Sequence, residues 1–366
     1  MKDFQLRSDT KLLFRNDPVS DLTAFTAGKK TLFVYGGGSV KKNGCYDDVK
    51  KAVESAGGIL YELGNASREL EVIEEGIRLV KEKGIELVIG TGGANIMDCA
   101  KLIAFGSHHT DDLWAYVKAE KNPYGLKKMP LLLMPTYPSS GSEYGLGAVS
   151  ADSRTGDFGT AYGIAADIAI LVPKYSMSLG VEMTAYTGLV TLVQLSASTI
   201  GDMNPVSYDI GISVIRNVLA ATKKLKENPQ DSDARGVILY GAAISTSGRL
   251  GLGKEENYAY DIYELEFIPE VLYKETYRKS LTTLFPRFLK VMAKYHNTDI
   301  RRYFKDVFSY EGSIEESADK MVELFVELGV DMHFDGEISA EAIKDIDIST
   351  LLSVDEVTGM VKECLR

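Results

Sequence analysis

Between residues 31 and 135 short β-rich runs alternate with amphipathic helical stretches, and this alternation constrains the fold more than anything else in the chain. The runs are TLFVYG (31–36), GGILYEL (57–63), IELVIG (85–90) and MPLLLMP (129–135). Between them, Tyr46, Val49, Ala52 and Val53 fall at helical spacing, and Leu70, Ile73, Ile77 and Val80 form one stripe. Strands that alternate with helices predict a parallel sheet covered on both faces.

Three of these runs end in glycine-rich turns: YGGGSVKKNG (35–44), GTGGANIMD (90–98) and PTYPSSGSEYG (135–145). A helix N-terminus presents unpaired N–H groups and a partial positive charge, and glycines before it let phosphate oxygens approach the backbone. Gly92 and Gly93, ahead of a helix expected from about Asn95 to Ala104, meet that requirement. One such turn could be structural, since tight βα turns use glycine for its backbone freedom. Three at successive strand ends point to a dinucleotide site, although the spacing is not GxGxxG.

The character changes after residue 144. Residues 144–173 carry glycine-rich turns and two alternating runs, which predict an antiparallel hairpin beside the sheet. From Thr184 the pattern is helical, strongest over 184–200, 205–226, 232–248, 270–296 and 313–329. The expected domains are therefore 1–180, dinucleotide-binding α/β with a mostly parallel sheet, and 181–366, all-helical. A net charge of −11 argues against a nucleic-acid footprint. Cys45, Cys99 and Cys364 are too scattered for a disulfide framework and suggest a reducing compartment. MKDFQLRSDTKLLF lacks the apolar core of a signal peptide, and no run approaches the ~20 apolar residues that span a bilayer. The expectation is a cytoplasmic protein without nucleic-acid or membrane partners.

YGGGSVKKNGCYDDV, GTGGANIMDCAKLIA and PTYPSSGSE together resemble the iron-dependent (group III) alcohol dehydrogenase family, in particular its butanol-dehydrogenase-like branch. The likeness covers nearly the whole chain. It implies that the first turn, with Gly37, Gly38, Ser39 and Lys42, cups the adenosine ribose. It implies that Gly92, Gly93, Ala94 and Asn95 hold the pyrophosphate, and that the stretch from Thr136 through Ser139 and Ser142 lies along the nicotinamide. Asp98 either faces the nicotinamide or holds the turn. A ribose 2′-hydroxyl is commonly held by a carboxylate, whereas a 2′-phosphate favours hydroxyls and cations. Ser39, Lys41 and Lys42, with no acid before Asp47, favour NADP(H) over NAD(H). The resemblance also implies a homodimer, in which FQLRSD (4–9) extends the partner's sheet or pairs within its own chain.

The family's metal ligands, one aspartate and three histidines, have no counterparts. Their positions map to Val190, Gln194, Tyr263 and Tyr277, and the four histidines, His108, His109, His296 and His333, all lie elsewhere. Asp261, Glu264 and Glu266 would make a poor iron or zinc site alone, so no divalent metal is expected at the family position. Two functions lead, with an alcohol dehydrogenase that recruits its metal through other ligands as a third possibility. The first is an NAD(P)(H)-dependent oxidoreductase acting on an alcohol, an aldehyde or a related carbonyl, with Tyr277 and Tyr263 as catalytic proton donors and Lys274 and Arg278 close in sequence. Against that stands simple aromatic packing or substrate binding by the same tyrosines. The second is a catalytically degenerate NADP(H)-binding protein, a sensor or partner subunit.

Overall fold

A computed structural model describes residues 2–109, 113–346 and 348–366. Its central sheet has six parallel strands in the order β1-β8-β5-β4-β2-β3. These are β1 (Lys11–Phe14), β2 (Lys30–Tyr35), β3 (Ile59–Leu63), β4 (Leu87–Gly92), β5 (Leu131–Pro135) and β8 (Ile168–Leu171). A separate antiparallel hairpin joins β6 (Gly147–Asp152) to β7 (Asp157–Tyr162). The expected sheet, its four strands and the hairpin are therefore present. β1 and β8 are additions: β8 falls inside the stretch expected to be hairpin, and pairs with both β1 and β5. Residues 4–9 do not pair as a strand within their own chain; they adopt no regular structure, and Phe4 and Leu6 are exposed.

The alternating side chains sort into two layers, as a sheet buried on both faces requires. Leu32, Val34, Val88, Leu131 and Leu133 pack with helices Leu70–Lys83 and Ala94–Gly106. Phe33, Tyr35, Leu87, Ile89, Leu132 and Met134 pack on the other side with helix Cys45–Ser55. The chain runs outward from β2 to β3 and then returns past β2 to β4. The strand order thus reverses between β2 and β4, and the carboxyl ends there form the crevice in which open α/β sheets bind ligands.

The chain divides into two compact units. One comprises residues 7–179 with 242–247 and contains the sheet; the other comprises residues 1–6, 180–241 and 248–366 and is helical. In the helical unit Val181–Thr199 is buried from Thr184 onward, which explains its nearly continuous apolar composition. The helix expected over 270–296 is split: Lys274, in the left-handed conformation (φ 57°), ends Phe267–Tyr273, and Tyr277–Phe308 starts afresh. His296 does not close that helix but marks a kink (φ −129°, ψ 42°), with its ring stacked 3.5 Å from that of Tyr258.

Candidate functional site

In the sheet unit β4 ends at Gly92 and helix Ala94–Gly106 begins with Gly93 as a cap lacking any side-chain hydrogen bond. Gly93 and Ala94 are partly exposed and Asn95 is exposed, so this N-terminus is open to an anion. A Cβ on Gly92 would lie 2.7 Å from the Ile96 side chain, and one on Gly90 would lie 2.5 Å from the Ala100 Cβ. Glycine is therefore demanded by the close seating of the helix on β4, which brings its N–H groups to the strand end. Gly37 and Gly38 differ: a Cβ there would meet nothing within 4 Å, leaving room for a ligand against the backbone. Ser39, Lys41 and Lys42 follow in the exposed turn Ser39–Lys42. This arrangement fits a dinucleotide pyrophosphate without any basic side chain at the cradle.

Beside the first turn stands an acid that the sequence reading overlooked. Glu62 of β3 accepts hydrogen bonds from the Tyr35 hydroxyl (2.6 Å) and the Tyr46 hydroxyl (2.7 Å). Lys41 Nζ lies 5.0 Å from the centre of the Tyr46 ring. Burial raises the Glu62 pKa, but the two phenols and Lys41 outweigh it and leave the carboxyl lowered. Both carboxylate oxygens already have donors.

The third turn rests on a buried ionic cluster. Thr136, Ser139 and Ser142 are each more than nine-tenths buried, while Tyr137 and Ser140 are partly exposed. Ser142 Oγ donates to Asp98 Oδ1 (2.5 Å), and the Val149 N–H donates to Asp98 Oδ2 (3.1 Å). Both Asp98 oxygens are thereby tied to the third turn and to the strand that follows it. Lys101, one helical turn on and 0% exposed, donates to the carbonyls of Gly145 (3.0 Å) and Gly147 (2.8 Å). Glu143 is 1% exposed, and its Oε1 has no partner among the described residues. Burial pushes the Glu143 carboxyl up to about 7 and the Lys101 ammonium down to about 8. Gly141 (φ +67°) is forced twice over, because a Cβ there would also lie 2.2 Å from the Ala242 carbonyl oxygen. Lys101 and Glu143 escaped sequence reasoning; the available signal was a lysine with apolar neighbours on every side in CAKLIAFG.

The helical unit holds the residues mapped to metal positions. Val190 and Gln194 lie one turn apart on Val181–Thr199, both buried. Gln194 Nε2 donates to the Tyr277 hydroxyl at 3.0 Å across 83 positions of chain. The Tyr263 hydroxyl is enclosed and has no partner among the described residues. Burial, followed by the neighbouring Tyr277, Tyr260 and Glu266, raises its pKa well above the usual tyrosine value. Burial, followed by Glu266, likewise raises Tyr277. This donor set of valine, amide and two phenols does not suit iron or zinc, which take imidazole, thiolate or carboxylate ligands. Among the described residues no group of three His, Cys, Asp or Glu side chains is placed to hold a metal. Asp261, a substitute ligand considered above, is engaged by Thr350 Oγ1 and the Leu351 N–H. Glu264 is exposed and Glu266 buried. No helix among the described residues is long and apolar enough to cross a membrane.

Residues 9–173 match the family model for iron-containing alcohol dehydrogenase. The chain is 26% identical over 301 residues to a probable NADH-dependent butanol dehydrogenase 1 of Bacillus subtilis, covering 79% of this chain and 76% of the relative. It is 24% identical over 377 residues to the NADPH-dependent aldehyde reductase YqhD of Escherichia coli, covering 99% and 95%. Its fold matches that of NADH-dependent butanol dehydrogenase A from Thermotoga maritima with a TM-score of 0.89 at 22% identity, over 100% of this chain and 99% of the other. The motifs, the family model matched over residues 9–173 and the full-length fold agree in their likeness to the iron-containing alcohol dehydrogenases, on the butanol-dehydrogenase-like side of that family.

Proposed function

We propose that this protein is an NADP(H)-preferring oxidoreductase that works on an alcohol, aldehyde or related carbonyl without the divalent metal of the iron-containing alcohol dehydrogenases. The nicotinamide-dependent alcohol/aldehyde oxidoreductase type follows from the relatives; the cofactor preference and the metal-free chemistry are the proposed part. The observation that carries the reading is the capless helix N-terminus at Gly93, flanked by two further glycine turns at the carboxyl ends of neighbouring strands. The middle turn would hold the pyrophosphate through Gly92, Gly93, Ala94 and Asn95, so the two nucleoside halves must spread to the turns on either side. Ser39, Lys41 and Lys42 suit a 2′-phosphate on the β2 side. Glu62, which could have accepted a ribose hydroxyl, is already hydrogen-bonded by two tyrosines. The other half then falls to the turn after β5. Relatives use either cofactor, so this chain's own residues support the preference.

When bound, the reduced nicotinamide supplies the hydride. The protein's part is to hold the substrate oxygen and its proton. Because Gln194 donates to Tyr277, the phenol oxygen acts as acceptor in that bond and its own proton is directed elsewhere. A phenol kept protonated by burial can donate to a carbonyl oxygen and stabilise the charge that develops on it. Tyr263 offers a second such donor. The same upward shifts disfavour full proton transfer, and they favour the second reading, a nucleotide-binding protein without turnover.

Purified protein should bind NADPH more tightly than NADH by fluorescence titration and reduce aldehydes at a rate unchanged by chelators or added iron or zinc. Tight binding with no turnover across aldehydes, ketones and metals would favour the sensor or partner-subunit reading. Stoichiometric metal with chelator-sensitive turnover would refute the metal-free one. The homodimer is likewise proposed, on exposed Phe4 and Leu6 beside the unpaired 4–9 segment; light scattering at the single-chain mass of 40.1 kDa would refute it.

A further inference from the structure

We propose that Glu143 makes the third turn discriminate between the oxidised and reduced forms of the nicotinamide, by releasing a proton when the cationic form binds and not when the neutral form binds. The inference rests on the nucleotide reading above, which sends one half of the dinucleotide to the turn after β5. Glu143 lies in that turn, 1% exposed, with an oxygen that no described residue satisfies. The neighbouring turn residues Tyr137 and Ser140 are partly exposed.

The charged groups around it are fixed. Lys101 and Asp98 approach from helix Ala94–Gly106, and Arg68, in the segment after β3, acts on Asp98. Asp98 has both oxygens hydrogen-bonded, and Lys101 is anchored on two carbonyls. Glu143 is therefore the group free to change its charge. Burial has brought its carboxyl to about 7, its own backbone N–H and Lys101 pulling it down and Asp98 pushing it up. Near neutrality it carries its proton about half of the time. With that proton on, the cluster of Lys101, Asp98 and Glu143 is neutral; with it off, the cluster carries one negative charge. A cationic ring favours the ionised form and a neutral ring is indifferent. The proton released goes to solvent.

A single charge acting across about 10 Å of protein at an effective dielectric near 20 moves such a carboxyl by about one pH unit. Affinity for NADP+ should then rise about fourfold from pH 6 to pH 7.5, with roughly 0.4 proton released per bound molecule at pH 7. Affinity for NADPH should stay level once the titration of the 2′-phosphate, common to both nucleotides, is subtracted. The window stops at 7.5 because Lys101, at about 8, titrates above it.

The experiment is calorimetric titration of the wild-type protein with NADP+ and NADPH in two buffers of different ionisation enthalpy, repeated with Glu143→Gln. Proton release confined to NADP+, and abolished in the variant, is the expected result. Equal proton counts for the two nucleotides would overturn the inference while leaving the nucleotide reading intact. A difference that persists in Glu143→Gln would overturn the assignment to Glu143. Binding of neither nucleotide would overturn the nucleotide reading itself, and this inference with it. If Glu143→Gln does not fold, the wild-type proton counts decide alone.

Discussion

Replacing Lys101 by methionine tests whether the third turn is held by charge. The substitution keeps the length of the side chain and removes the ammonium from a site that is 0% exposed. Two carbonyls, of Gly145 and Gly147, lose their donor, and Asp98 and Glu143 lose the nearby cation. Each buried acceptor left unmade costs about 1–3 kcal/mol, and breaking a buried charge cluster on one side costs about 3–5 kcal/mol. Expected destabilisation is therefore about 3–5 kcal/mol. The single tryptophan, Trp114, packs against the same core layer as helix Ala94–Gly106, so its fluorescence during denaturant unfolding reports on the sheet unit.

The pH dependence adds a second check with a definite sign. The folded pKa of Glu143, about 7, lies above its ordinary 4.5. The folded state therefore binds more protons in that interval, and stability falls as pH rises from about 4.5 to about 7. Loss of Lys101, which now pulls that pKa down, raises it further. The variant's deficit should grow by about 1 kcal/mol between pH 6 and pH 7.5. A loss below about 1 kcal/mol, or a deficit that shrinks with rising pH, would show that Lys101 is no structural cation and that the cluster is misread.

Gly92→Ala should cost about 1–3 kcal/mol of stability through the 2.7 Å clash with Ile96, and should weaken NADPH binding at least tenfold by displacing the helix N-terminus; unchanged affinity by fluorescence titration would remove this cradle from the site. Replacing Lys41 and Lys42 together by alanine should lower NADPH affinity by about tenfold while leaving NADH affinity within twofold; equal losses would show that neither reads the 2′-phosphate. Tyr277→Phe should reduce aldehyde turnover by about 10²-fold with nucleotide affinity unchanged, the loss expected on deleting one donor to a developing oxyanion. Unaltered turnover would leave Tyr277 a packing residue.

What was legible in the sequence is what local periodicity records. β2, β4 and β5 stand out because a strand buried on both faces must be apolar throughout, and the turn after β4 because a helix seated as closely as Ile96 on Gly92 admits no Cβ. β1 and β8 were not legible for the opposite reason. Each is four residues long, and their pairing joins positions about 157 apart (Lys11 with Ile168), a parallel contact with no local signature. The kink at His296 was legible only as an end of the helical pattern at 296, whereas the helix resumes beyond it and runs to Phe308.

The site divides along the same line. The phosphate cradle is a contiguous motif, and the chemistry of a helix N-terminus belongs to the backbone, so nine residues announce it. The groups that decide charge do not announce themselves. Lys101 and Glu143 are ordinary surface residue types; the apolar neighbours of Lys101 hint at its burial, but only the three-dimensional arrangement brings the two together in the interior. Gln194 and Tyr277 are 83 positions apart, and neither alone marks a site in a helix; their hydrogen bond fixes the orientation of the phenol. Burial then acts in opposite directions on the two chemistries. It brings Glu143 to the pH at which a proton is readily exchanged, and it takes Tyr263 and Tyr277 far from it. If both readings hold, the group that trades protons near neutrality belongs to the nucleotide turn, while the phenols orient substrate oxygen and keep their hydrogens. Carbonyl reduction would then be limited by how the alkoxide acquires its proton, and alcohol oxidation, lacking a base at the phenol pair, would be the slower direction.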